Sequence, residues 1–146
     1  MKIKGPWSEA EIDGYLKTTV IPMRLSALGS SGWPVVLSLW FCWRDGALWC
    51  ASNPQSRIVQ LLEQDNRCGF EIAGDAPPYR GIRGQGKATL DREHGVAELK
   101  ALIERYLGPE ETSFSRWLIE HSAGEVAIRI DPIRMMSWDY TGRMKG

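Results

Sequence analysis

Turn chemistry between strand-like segments constrains the fold of this 146-residue chain more than any other feature. Met23 to Leu28 and Val35 to Trp43 are typical of strands, and Gly29-Ser30-Ser31-Gly32 is typical of the turn between them. Arg44-Asp45-Gly46 then suits a tight type I′ turn before a third strand, Ala47 to Ala51. The sequence therefore predicts three consecutive antiparallel strands.

Strand patterns return later in the chain. The segments are Cys68 to Ala73, Tyr79 to Leu90, Val126 to Ile130 and Met135 to Tyr140. Glycines at 81, 84 and 86 weaken a simple ladder and predict a bend or bulge of the kind that closes a barrel.

Helices are predicted around these strands. Ser8 and Glu11 fit a capping box, which predicts a helix from about Glu9 to Lys17. Apolar residues at helical spacing predict three more helices, over Gln55 to Gln64, Val96 to Leu107 and Ser113 to His121. About six antiparallel strands with short peripheral helices make an α+β chain built on a small closed sheet, and no linker divides residues 1–146 into more than one domain.

Charge and hydropathy exclude several function classes. Eighteen Lys and Arg balance eighteen Asp and Glu, so the basic surplus of a nucleic-acid-binding protein is absent. The longest uncharged run, Leu25 to Trp43, contains glycines and Pro34 and is unsuited to a membrane helix. The first residues lack a signal-peptide pattern. We expect a cytoplasmic protein without a nucleic-acid or membrane partner.

Catalytic side chains in familiar arrangements are absent from the sequence. His94 and His121 lie among charged residues on predicted helices or their edges, and the three cysteines show no Cys-x-x-Cys spacing. Gly84-Gln85-Gly86 lies inside a strand pattern and lacks the helix and lysine of a phosphate loop. No metal site and no catalytic residue is predicted.

A binding pattern remains where the third strand ends and a helix begins. Ser52, Asn53, Gln55, Ser56 and Arg57 lie at that junction. Free backbone amides, the positive end of the helix dipole and a guanidinium all favour an anion there. The segment is a candidate phosphate site, and the alternative is a capped helix with a solvated arginine.

Short pieces in a fixed order carry a resemblance to a known family. They are Pro34 to Phe41, Asp45 to Trp49, Ser52 to Arg57, Asp65 to Arg67, Pro77 to Gly81, Gly84 to Ala88, and Ile130 to Arg134 with Trp138. From about Met23 to Tyr140 the chain resembles the pyridoxamine 5′-phosphate oxidase-like split barrels, and within them the small flavin- and deazaflavin-dependent oxidoreductases. The resemblance implies a six-stranded antiparallel split β-barrel with short helices. It also implies a homodimer with two cofactor clefts at the subunit interface.

The resemblance further implies which residues hold a flavin. The strand carrying Leu37, Ser38, Leu39 and Trp40 would border the ring, largely through its backbone. Ser52, Ser56 and Arg57 would hold the phosphate, and Arg24 is a weaker candidate for the same anion. The last aromatic strand would approach the ring with Trp138.

One position departs from the family pattern, and it bears on the expected function. Family members often have Ser-Arg-Lys where this chain has Ser56-Arg57-Ile58, so one cationic ligand is missing. The resemblance implies an FMN-dependent oxidoreductase that passes hydride between a donor and a small organic acceptor. Few lysines are clustered in the sequence, which favours FMN over the longer anionic tail of a deazaflavin. The alternatives are a deazaflavin-dependent reductase and a non-catalytic protein that binds flavin or haem.

Overall fold

The computed structural model describes residues 1–145, which contain four helices and eight strands. The elements in chain order are β1 (Lys2–Lys4), α1 (Glu9–Thr18), β2 (Met23–Leu28), β3 (Pro34–Leu39), β4 (Cys42–Arg44), β5 (Ala47–Ser52), α2 (Arg57–Gln64), β6 (Arg67–Ala73), β7 (Arg80–Asp91), α3 (Gly95–Leu107), α4 (Ser113–Glu120) and β8 (Val126–Asp139). No helix in this part of the chain is long and apolar enough to cross a membrane.

The strands form one curled sheet in the order β3-β2-β6-β7-β8-β5-β4, with β1 added in parallel to β8. Every other pair is antiparallel. The two ends of this path, β3 and β4, are separated along the chain by only Trp40 and Phe41. A sheet whose opposite edges are joined so closely must curl round on itself. The α+β class and the barrel predicted from the sequence are confirmed.

Local turn and cap predictions are also confirmed. Ser8 accepts a hydrogen bond from the backbone N–H of Glu11, and the Glu11 carboxylate accepts one from the N–H of Ser8. Asp45 and Gly46 have φ angles of 54° and 68°, as the hairpin between β4 and β5 requires. The bulge predicted from the glycines lies in β7, where pairing with β8 shifts between Gln85 and Gly86.

The predicted strand over residues 35–43 is wrong in one respect, because it divides into β3 and β4, which pair with different neighbours. The three segments after Met23 are therefore not three consecutive paired strands. The Tyr106 hydroxyl accepts from the backbone N–H of Phe41 at 3.1 Å and donates to the carbonyl of Ile21 at 2.8 Å. This side chain satisfies the backbone at the break, since Phe41 lies outside either ladder.

The structure has eight strands and not about six, because β1 is an addition and the predicted strand over residues 35–43 forms two strands, whereas the last two predicted strands are one. Strand β8 continues through Asp131 and Pro132. Pro132 lies opposite Gly86, next to the register shift. Proline has no backbone N–H to donate, and the pairing of the two strands is already interrupted at this bulge, so few hydrogen bonds are lost. Inside the barrel, alternate strand residues form the core with α2, and among the fully buried side chains are Leu25, Phe41, Ile72, Ile82 and Ile128.

Candidate functional site

Two cavities lie beside β3. The first, which we call the strand-end cavity, has a volume of about 590 Å³ and lies where β3 and β5 end, against α3 and α4. Its lining is Ser38, Leu39, Trp40, Ala51, Asn53, Leu99, Leu102, Trp117, Leu118, His121 and Glu125. Apolar side chains predominate, with a few polar groups among them, which is the usual make-up of a small-molecule pocket.

Three of the four residues predicted to border a flavin ring line this cavity. They are Ser38, Leu39 and Trp40. The indole of Trp40 stacks on the ring of Tyr106, with centroids 5.0 Å apart and planes 9° apart, so one of its faces is covered. Leu37 lies opposite Leu25, packs against the core and is not among the residues that line the cavity.

The predicted phosphate segment begins at Ser52, the last residue of β5. The Ser52 hydroxyl donates to the Ser56 hydroxyl oxygen at 2.8 Å. Ser56 caps α2, and its oxygen also accepts from the N–H of Val59 at 3.4 Å. One hydroxyl proton of the pair therefore remains available to an acceptor. The amides of Arg57 and Ile58, in the first turn of α2, have no intrahelical acceptor.

Arg57 and Ile58 have opposite environments at the start of α2. Arg57 is exposed, and a Cβ built on Gly29 would lie 3.8 Å from its Nη2, so the guanidinium lies beside the turn between β2 and β3. Ile58 is 2% exposed and belongs to the hydrophobic core. A lysine side chain at position 58 would enter that core. At this position the chain can contact a phosphate with the backbone amide of Ile58 and not with an ammonium group.

The second cavity, which we call the outer-face cavity, has a volume of about 700 Å³ and lies on the outside of the sheet. Arg24 is the only residue predicted for the flavin site that lines it. Lys2, Lys4, Arg83 and Arg134 line it as well. The sequence analysis did not identify these four residues. Because the fold brings cations from distant parts of the sequence together, the scarcity of clustered lysines along the chain no longer favours FMN over a deazaflavin. The alternation of strand residues was the available signal, because Arg83 and Gln85 share one face of β7.

Trp138 lies outside the lining of both cavities. It is half-buried, opposite Gly81, and the Arg83 guanidinium carbon lies 5.6 Å from the centre of its ring. Its neighbour two residues earlier, Met136, lines the outer-face cavity. The structure thus divides the predicted site residues among the strand-end cavity, the start of α2 and the outer face.

Two titratable side chains, His121 and Glu125, line the strand-end cavity. Burial raises the pKa of Glu125, which lines the strand-end cavity. Both histidines are exposed: His94 pairs with Asp91, and the His121 ring stacks on Trp117 with centroids 4.2 Å apart. Within residues 1–145, no three His, Cys, Asp or Glu side chains are grouped to hold a metal ion. The arrangement is suited to binding rather than to acid–base chemistry by the protein.

Comparison with solved structures identifies the class of fold. A conserved hypothetical protein from Mycobacterium tuberculosis aligns with a TM-score of 0.77 and 26% identity, over 92% of this chain and 86% of that one. An F420 reductase aligns with a TM-score of 0.69 and 18% identity, over 84% of this chain and 94% of that one. An FAD-binding protein from Mesorhizobium loti gives 0.65 and 15%, over 90% and 91%.

These likenesses are to split barrels. The chain has the fold of the pyridoxamine 5′-phosphate oxidase-like superfamily, and the resemblance found in its sequence is confirmed at that level. No family model and no curated protein matches the sequence.

Proposed function

We propose that the protein is an FMN-dependent oxidoreductase that transfers hydride between a donor and a small organic acceptor. The observation that carries the proposal is the junction of β5 and α2. There the Ser52–Ser56 hydroxyl pair and the first-turn amides are adjacent in the chain to Ala51 and Asn53, which line the strand-end cavity, and the Arg57 guanidinium lies beside the turn between β2 and β3. The F420 reductase and the FAD-binding protein with the same fold support a flavin-type cofactor.

The residues at the start of α2 fit a phosphate. The Ser52–Ser56 pair has one free hydroxyl proton, the amides of Arg57 and Ile58 lie in the first turn of the helix, and the helix dipole adds positive potential. No acidic residue occupies the first turn of α2. Arg57 has no carboxylate within 4.0 Å among the residues described, so its charge is available to a ligand.

The strand β3 suits the flat part of a flavin. It is the terminal strand of the sheet path and pairs only with β2, so its other edge presents unpaired backbone groups. Bound FMN would supply the hydride chemistry. In this proposal the chain orients the ring along Ser38 to Trp40, excludes water with Leu99, Leu102 and Leu118, and neutralises the phosphate with Arg57.

The proposal includes a homodimer with the cofactor cleft shared between two subunits. Large apolar side chains are exposed on the chain, among them Trp33 at 77%, Val36 at 66%, Phe114 at 53% and Trp117 at 52%. Trp33 and Val36 belong to the β2–β3 hairpin and Trp117 lines the strand-end cavity, so a partner that covered them would also border the proposed site.

Spectroscopy of the purified protein tests the proposal. We expect a bound chromophore, or a rise in melting temperature on adding FMN, because a ligand that binds only the folded state stabilises it. Bound FMN should then be reduced by NADH or NADPH. A shift with coenzyme F420 or haem in place of FMN would contradict the cofactor assignment. Bound FMN that no nicotinamide donor reduces would contradict the reaction and favour a non-catalytic flavin-binding protein.

A further inference from the structure

Glu125 is the one carboxylate in the lining of the strand-end cavity, and no lysine or arginine lines that cavity. Among residues 1–145, no lysine or arginine nitrogen lies within 4.0 Å of this carboxylate. The side chain is half-buried, and burial raises the pKa of Glu125. The ionised form of a poorly hydrated carboxylate without a cation is costly, and a positively charged ligand reduces that cost.

The backbone around Glu125 is fixed by the turn that precedes β8. The backbone N–H of Glu125 donates to the carbonyl oxygen of Ser122 at 2.9 Å. A Cβ built on Gly124 would lie 3.2 Å from the Cγ of Pro54, so this turn packs against the segment that follows β5. Glu125 and Asn53 belong to these two neighbouring segments, and both line the cavity. The carboxylate therefore lies on a wall that is rigidly connected to the sheet.

Two indole rings line the same cavity, and each is covered on one face by another ring. Trp40 stacks on Tyr106 with centroids 5.0 Å apart, and Trp117 stacks on His121 with centroids 4.2 Å apart. The Nδ1 atom of His121 lies 2.8 Å from the carbonyl oxygen of Trp117, which holds this second pair together. Within residues 1–145, neither indole has an arginine over its other face. The electron-rich face of an indole attracts a cation.

We propose that the small organic acceptor in the strand-end cavity is a flat organic cation of the pyridinium or iminium type. Its charge pairs with the carboxylate of Glu125, and its apolar body lies against the indoles of Trp40 and Trp117. This inference rests on the proposed function, because it names the class of molecule that takes the hydride. The flavin ring lies along β3, and the acceptor lies on the side of α4 and the turn before β8. The partner subunit of the proposed dimer borders the open side of the cavity and further limits the access of water to Glu125.

Ligand-detected NMR titration of the purified protein with three small probes tests the charge preference. N-methylpyridinium carries a permanent positive charge, toluene has the same shape without a charge, and benzoate is an anion. At about pH 8, where the carboxyl of Glu125 is ionised, we expect N-methylpyridinium to bind and benzoate to bind at least about tenfold more weakly. Equal or tighter binding of benzoate would overturn the proposal.

Substitutions separate the charge from the apolar contacts of the cavity. Glu125→Gln should weaken N-methylpyridinium about tenfold and change toluene less than about twofold, because only the cation uses the carboxylate. Trp117→Leu should weaken N-methylpyridinium about threefold, and since Trp117 is 52% exposed, this variant should keep the melting temperature of the parent. The matched control is Glu120→Gln, an exposed carboxylate on α4 outside the cavity lining. An equal loss in the control, or equal effects of Glu125→Gln on the cation and on toluene, would overturn the proposal.

The same titrations with saturating FMN distinguish a failure of this inference from a failure of the proposed function. N-methylpyridinium should bind at least as tightly with FMN present, and competition between the two would overturn the inference, because the ring would then fill the space assigned to the acceptor. If FMN does not bind but N-methylpyridinium binds through Glu125, the proposed function is contradicted and the cation site is supported. If FMN binds but Glu125→Gln leaves N-methylpyridinium unaffected, the cation site alone is overturned.

Discussion

Arg44 grips the carboxylate of Glu98 with both of its terminal nitrogens, from Nη1 to Oε1 at 2.9 Å and from Nη2 to Oε2 at 2.5 Å. Glu98 lies on α3 and is 5% exposed, whereas the Arg44 side chain is 42% exposed at the end of β4. The pair ties the outer helix α3 to the strand at the far end of the sheet. The loss of stability depends on which partner is replaced, because water can reach Arg44 when Glu98 is removed but cannot reach Glu98 when Arg44 is removed.

The first prediction follows from that asymmetry. Arg44→Met leaves a buried carboxylate without its cation and should lower the free energy of unfolding by about 3–5 kcal/mol. Glu98→Gln leaves a guanidinium that water can reach and should cost about 1–3 kcal/mol. Urea unfolding measures both. The control, Arg116→Met, breaks an exposed pair and should cost less than about 1 kcal/mol. A larger loss in Glu98→Gln than in Arg44→Met would contradict the prediction.

The second prediction concerns the three cysteines, all of which have raised pKa values. Burial raises the pKa of Cys42 to about 12, with Glu98 adding to the shift, and raises that of Cys68 to about 11. Burial raises the pKa of Cys50 well above its ordinary value too. A thiol forms the reactive thiolate only as pH approaches its pKa. At pH 8 the folded protein should therefore resist iodoacetamide, whereas the denatured chain should take up three labels.

Intact-mass spectrometry checks this difference between folded and denatured protein. Glu98→Gln provides an internal comparison, since it removes a carboxylate that lies 3.2 Å from the Cys42 sulfur and raises its pKa. Labelling of Cys42 should be faster in that variant. Rapid labelling of Cys42 in the unchanged folded protein would contradict the raised pKa of this thiol.

Sequence reasoning succeeded where the determinants of structure are local. The capping box of α1, the Asp45-Gly46 turn and the β2–β3 hairpin each depend on residues within a few positions of one another. Such features can be read from the chain because propensity and capping act over one or two turns.

The features that sequence reasoning missed depend on distant residues. The break after β3 is stabilised by Tyr106, 65 positions from Phe41. Continuity of β8 through Pro132 depends on a bulge in β7. In the basic outer-face cavity, Lys2 lies opposite Arg134 because β1 pairs in parallel with β8. No turn sequence connects these two strands, so their pairing cannot be predicted from a local motif. The zero net charge of the chain gives no sign of this local surplus, because composition averages over faces that the fold separates.

The third prediction tests the phosphate contact of the proposed cofactor site. Arg57→Ala should weaken FMN binding by about 1.5–3 kcal/mol, the range for a hydrogen bond to a charged group. The melting temperature of the ligand-free protein should change little, because Arg57 is exposed. Fluorescence titration with FMN gives the affinity. Arg92→Ala, which removes an exposed arginine paired with Glu63, serves as the control. Equal FMN affinity in Arg57→Ala and the parent would return Arg57 to the role of a solvated helix residue.

The fourth prediction is a stable homodimer at micromolar concentration. The exposed indole of Trp33 and the exposed Val36 lie on the same hairpin, and obligate interfaces bury such apolar surface. Light scattering should give twice the chain mass of 16.5 kDa. Trp33→Ser should shift the equilibrium toward the monomer. A monomeric mass for the unchanged protein would contradict both the dimer and a cofactor cleft shared between subunits.

The fifth prediction concerns Ile58, where the family often has lysine. Ile58 is 2% exposed in the core beside Leu61 and Leu62, so Ile58→Lys would bury an ammonium group among apolar side chains. The substitution should lower the free energy of unfolding by about 3 kcal/mol or more, and it should not tighten FMN binding. Gln60→Lys, on the exposed side of the same helix, is the matched control and should leave the melting temperature nearly unchanged. Thermal unfolding and FMN titration of both variants check the prediction. A preserved melting temperature with tighter FMN binding in Ile58→Lys would show instead that the lysine can turn out of the core to the phosphate.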